Sequence, residues 1–169
     1  DHVAGDPGNV PQPDLATSTK VSKDGLTYSF TIRPDVMWGP PLNRPVTTKD
    51  IEFAFERIND KSVAASYKSY YCNVIVGMDC NETSFKPVSG IDVPDNTHIV
   101  FHLQQAVGDF LYRLALPAAY PQPPEVAGCF NQPRLYGQDV MAGMGLFYDP
   151  TRRGKEIHFM ASDARCLKV

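Results

Sequence analysis

Hydrophobic and polar positions change rhythm several times along the chain. Leu26, Tyr28, Phe30 and Ile32 alternate with Thr27, Ser29, Thr31 and Arg33. A period of two puts four large apolar side chains on one face, which predicts a half-buried antiparallel strand. Asp24-Gly25, just before it, favours a tight turn, so "VSKDGLTYSFTI" reads as a hairpin whose first strand covers residues 17–21. In "RPDVMWGPPLNRP" four prolines and a glycine break any ladder, and a loop is expected. The rhythm then becomes helical in "VTTKDIEFAFERIND". Thr47 is the expected N-cap with Asp50 three residues on, and Ile51, Ala54, Phe55 and Ile58 form the buried stripe.

A second turn-and-strand unit follows in "GIDVPDNTHIVFHL". Asp95-Asn96 supplies the turn, and Ile99, Phe101 and Leu103 alternate inward. Residues 107–116 are expected to be a helix with Phe110, Leu111 and Leu114 facing the core, stopped by the four prolines of "PAAYPQPPEVAG". The aromatic stretch "SVAASYKSYYCNVIVGMDC" has no clear period, "NETSFKPVSG" reads as loop, and residues 155–160 as one more strand. Residues 1–14 are polar and rich in Pro and Gly, an irregular lead-in to a unit covering 15–169. They show no basic-then-apolar signal peptide, so the chain reads as a mature chain or the middle of a protein.

Composition narrows the function. With 43% hydrophobic and 21% charged residues, the 169-residue chain can bury a real core. A formal net charge of -3 argues against nucleic acid or an anionic membrane as the main partner. No run of 18 apolar residues offers a membrane span. Cys72, Cys80, Cys129 and Cys166 permit two bridges in three pairings, among which sequence does not choose. The short Cys72–Cys80 loop closes easily in an oxidising compartment and is the candidate disulfide.

A reaction centre would need acid–base, nucleophilic or metal-ligating residues at workable spacing. Asp50, Glu52 and Glu56 read as a solvated acidic face rather than paired catalytic carboxylates. His98 and His102 have helical metal spacing but lie on a strand, roughly 13 Å apart, too far to share an ion. No CxxC pair, G-x-S-x-G elbow or H-E-x-x-H motif is present. Gly143-Met-Gly145 lacks the third glycine and the Lys-Ser/Thr of a phosphate loop. Asn81-Glu82-Thr83 matches a glycosylation sequon, a match without meaning in a bacterial source. The balance favours binding over catalysis, with no metal or cofactor. A hydrolase using His2, His158 and scattered carboxylates is the rival reading, and a structural or interaction domain without its own ligand is the third.

The order of the segments resembles one family. "LATSTKVSKDGLTYSFTIRPDVMW" is similar to the run LA-x-S-x-x-x-S-x-DG-x-x-Y-x-F-x-L-R-x-x-V-x-F of bacterial family 5 extracellular solute-binding proteins, the dipeptide, oligopeptide and nickel receptors of ABC importers. "RPVTTKDIEFAFERI" resembles the family's P-[VL]-T-A-x-D-V-x-F-[ST]-x-x-R, and "GIDVPDNTHIVFHLQQAVGDFLYRLALP" its following strand, turn, strand and helix. "AGMGLF" stands where the family has G-T-G-P-Y, without the proline and with Phe147 for tyrosine, and "MWGPPLNRP" replaces F-H-D-G-x-P. The resemblance implies an α+β fold, antiparallel hairpins with a few packed helices, as part of a two-lobed receptor of the type II periplasmic-binding-protein kind with the second lobe absent. It implies capture of a peptide-like solute, or a metal complex, outside the membrane, delivery to an importer's permease, a monomeric state and a lipid anchor on the full-length protein. Aromatic walls and a few placed hydrogen bonds make such clefts bind. The candidate ligand-binding residues are therefore Trp38, Tyr70 and Tyr71, with Gly143, Gly145 and Phe147 from the lobe-crossing run.

Overall fold

A computed structural model describes residues 11, 13–39, 42–60, 63, 65, 67–81, 85–127, 146–148 and 156–159. Strands β1 (Ala16–Val21) and β2 (Thr27–Ile32) form the expected hairpin, and Gly25 takes the positive φ of +71° that its turn requires. β3 (Met37–Trp38) and helix α1 (Thr48–Asn59) come next, then β4 (Ile91–Asp92) and β5 (His98–His102). Short helices α2 (Phe110–Leu114) and α3 (Pro124–Ala127) precede β6 (Leu146–Tyr148) and β7 (Glu156–Phe159).

The main sheet is antiparallel with strand order β1-β2-β5-β4. Tyr28 stands opposite Phe101 and Phe30 opposite Ile99, so the two alternating stripes meet on one face. Onto that face α1 lays Ile51, Ala54, Phe55 and Ile58, all buried as the helical spacing requires. Phe55 packs edge-on against Phe101 with ring centroids 5.2 Å apart, and Phe101 continues to Phe110 at 5.7 Å. Each such ring contributes about 2–3 kcal/mol by leaving water.

Several expectations need correction. The predicted loop after Arg33 contains a narrow hairpin: Trp38 N donates to Arg44 O at 2.8 Å and Val46 N to Val36 O at 2.9 Å. Prolines flank these residues without occupying the donor positions, and Asn43 turns the chain at φ +46°. The helix expected over 107–116 is shorter, Phe110–Leu114. Asp50 is no part of a solvated acidic face, because it is buried under the hairpin.

The stretch without a clear period is turn-rich. A 3-10 turn at Lys68–Tyr70 leads into a Cys72–Cys80 disulfide with Cα atoms 5.1 Å apart, the bridge expected from loop length. Val76 N donates to His102 O and Gln104 N to Val74 O, so this segment is fastened beside β5 without forming a strand there. Cys129 and Cys166 lie outside the described residues. The strand expected over 155–160 is β7, which pairs in parallel with β3 and antiparallel with β6 in a second sheet.

Candidate ligand-binding surface

The three aromatic candidates occupy three different environments. Trp38, carried by the hairpin, is 1% exposed and packs with Val36 and Val46 in a small cluster apart from the main core. Its indole Nε1 donates to Asp50 Oδ2 at 3.1 Å. Tyr71 is fully buried in the main core, with its ring edge-on to Phe55 and its hydroxyl donating to Arg113 O at 2.8 Å. Burial pushes the Tyr71 phenol well above its ordinary range, so the ring stays neutral. Neither ring has surface left for a ligand: one neighbour set takes the indole, another the phenol. Tyr70 is 47% exposed, with Tyr67 6.0 Å away and its carbonyl accepting from Arg113 Nη1 at 2.6 Å. Gly143 and Gly145 lie outside the described residues. Phe147 stands on β6 opposite His158 on β7, with neither side chain described. His2 also lies outside them.

What the fold does assemble is a cavity of about 290 Å³. Phe30, Ile32, Phe55, Ile99, Phe101 and Leu114 line it, from the sheet, α1 and α2. Asp14, Thr19 and Arg33 supply its polar groups, and Arg33 N donates to Leu15 O at 2.9 Å beside them. An apolar hollow with a few polar groups is the general form of a small-molecule site, and this one lies at the lower end of the usual size range. None of the aromatic candidates lines it.

A polar junction, unforeseen from the sequence, lies beside α1. Arg44 donates to both oxygens of Asp50 at 2.7 and 2.9 Å and to both of Glu125 at 2.7 and 2.8 Å. Asp50 also accepts from Thr47 N at 2.8 Å, so the carboxylate that completes the capping box of α1 anchors the hairpin as well. The hydrogen bond from Arg44 holds the Glu125 carboxyl below its usual range and Asp50 raises the Arg44 guanidinium further. Gln122 joins from the following segment, its N–H on Asp50 O at 2.9 Å and its Oε1 accepting from Arg57 at 2.8 Å. The sequence signal was the motif R-P-x-T-x-x-D; its partner Glu125 lies 81 residues away, beyond any local pattern.

The paired histidines do not converge. His98 meets Asp95 at 2.8 Å and His102 meets Asp92 at 2.9 Å, two separate contacts along β5 and its turn. Among the described residues no three metal-ligating side chains cluster. No helix there is long and apolar enough to cross a membrane.

A family model described as "Bacterial extracellular solute-binding proteins, family 5 Middle" matches residues 10–147. The chain belongs to this family. The family 5 relationship extends to individual proteins. The periplasmic oligopeptide-binding protein OppA of Haemophilus influenzae is 33% identical over 99 residues, which cover 57% of this chain and 18% of that protein. Among solved structures, the substrate-binding domain of an oligopeptide ABC transporter from Bacillus anthracis superposes with a TM-score of 0.61 at 32% identity, covering 69% of this chain and 22% of its own. Haemophilus influenzae OppA in complex with the peptide RPPGFSPFR gives a TM-score of 0.59 at 27% identity over 69% of this chain and 23% of its own. The chain thus spans about a fifth of the length of the relatives it matches. The antiparallel sheet with few helices agrees with the α+β fragment of a two-lobed receptor.

Proposed function

We propose that this chain is the scaffold part of an extracytoplasmic receptor that captures a peptide-like solute and hands it to the permease of an ABC importer. The family match over residues 10–147 carries this reading, supported by relatives whose names specify oligopeptides. The chain does no chemistry in this scheme; it holds one side of a cleft whose other side belongs to the rest of a longer, monomeric, lipid-anchored protein. Tyr70 contributes the open ring on this side, and Gly143, Gly145 and Phe147 the backbone and ring near the lobe crossing. Trp38 and Tyr71 serve the receptor from inside, one by fixing the hairpin and the other by filling the core. No described side-chain cluster favours the hydrolase reading.

Half a cleft binds a small ligand poorly, because the chain then loses most of the contacts that offset ordering and desolvation. A thermal-shift screen with a library of short peptides is the test, run on this chain and on the same receptor at the length of its relatives. Stabilisation of the longer protein alone is the expected result. A longer receptor that ignores every peptide, including in direct calorimetric titration, would remove the transport reading and leave only the fold.

A further inference from the structure

Arg44 sits where three pieces of the fold meet: the hairpin of residues 36–46, the start of α1 and the short helix α3. Its guanidinium has five N–H donors. Nε reaches Glu125 Oε1, Nη2 reaches Glu125 Oε2 and Asp50 Oδ1, and Nη1 reaches Asp50 Oδ2 and Pro45 O. The two carboxylates are unlike. The Asp50 side chain is 2% exposed and takes further bonds from Trp38 and Thr47, whereas Glu125 is 47% exposed on a helix of four residues.

We propose that Arg44 is a two-sided latch, permanently closed on Asp50 and reversibly closed on Glu125, so that α3 docks on and leaves the sheet domain while the hairpin keeps its shape. Burial makes the first half costly to break, since opening it leaves a carboxylate without its cation away from water. The second half has water as a ready competitor on one side, and exposed ion pairs of this kind shift an equilibrium only about two- to five-fold. The moving part is short. Gln122 is buried and held on Asp50 O and Arg57, and Pro123 after it is buried too, so displacement is confined to the residues from Pro124 on. The consequence is a joint at α3 that can open without unfolding α1.

Two N–H groups report the two halves separately. The indole Nε1–H of Trp38, the chain's single tryptophan, donates to Asp50, and the Nε–H of Arg44 donates to Glu125. Their exchange with water is measured by NMR on the ¹⁵N-labelled chain at near-neutral pH; the hydrogen bond from Arg44 favours the ionised Glu125 carboxyl. Raising the NaCl concentration, or Glu125→Gln, should speed exchange at Arg44 Nε about two- to five-fold and leave the Trp38 indole unchanged. Equal acceleration at both groups would overturn the latch in favour of one rigid network. No acceleration at either would overturn the latch as well, because the contact with Glu125 would then not restrain Arg44. The salt series uses the unaltered chain, so the answer does not depend on how the variant folds.

Discussion

Glu56 and Asp50 sit on the same helix and read alike in sequence, yet their surroundings treat them oppositely. Asp50 is buried but receives Arg44, Trp38 and the Thr47 amide, so its charge is compensated. Glu56 lies half-covered without such an arrangement, and burial first, then the neighbouring Glu52 charge, raise its carboxyl above the ordinary value. A carboxylate whose folded-state pKa is raised weakens the fold once it ionises, and acidification removes the penalty. Glu56→Gln should therefore stabilise the chain at neutral pH by up to about 0.5 kcal/mol, with the gain vanishing below about pH 4. Urea unfolding at both pH values checks this; an equal gain at both would mean that charge is not the cause. The sequence placed both residues on a helix but had no means of telling which one the hairpin would cover.

Among the elements, those with a strict period were legible. β2 and β5 bury every second residue, and α1 buries its stripe at the expected four positions, because an apolar face must turn from water whatever the partner. The segment around Cys72 has no period and owes its shape to tethers: the disulfide and single backbone bonds to β5. Closing so short a loop removes about 2–3 kcal/mol of entropy from the unfolded chain. Replacing Cys72 and Cys80 by serine should cost that much in denaturant unfolding of the oxidised protein, and the paired variant should no longer respond to dithiothreitol. Retained sensitivity to reductant in that variant would reveal a second bridge, between Cys129 and Cys166.

For the whole molecule, the cavity of about 290 Å³ is a half-open hollow whose lining runs from buried Phe55 and Ile99 to exposed Thr19 and Tyr120. Ala115 is one of its smallest lining residues. Enlarging it, Ala115→Leu, should fill part of the hollow and raise stability by about 0.5–2 kcal/mol in thermal or urea unfolding. A loss of about 1–3 kcal/mol instead would be the mark of overpacking, and would mean that the space beside Ala115 does not accept the longer side chain. Among the aromatic candidates whose side chains are described, Tyr70 stayed accessible, and the cavity it does not line includes core residues that the alternation identified.

Local pattern determined the hairpin, the capped helix and the turn at Asp95, and the order of quoted motifs carried the family resemblance, since each depends on neighbours within a few residues or on motif order. The burial of Trp38 and Tyr71, the Arg44 junction and the cavity were decided only in the tertiary structure. Each requires contact between segments far apart in the chain, as Arg44 and Glu125 are, and a local pattern carries no record of which distant surface will arrive. An aromatic ring looks the same in sequence whether it ends as a wall or as a core; the difference is the partner that covers it.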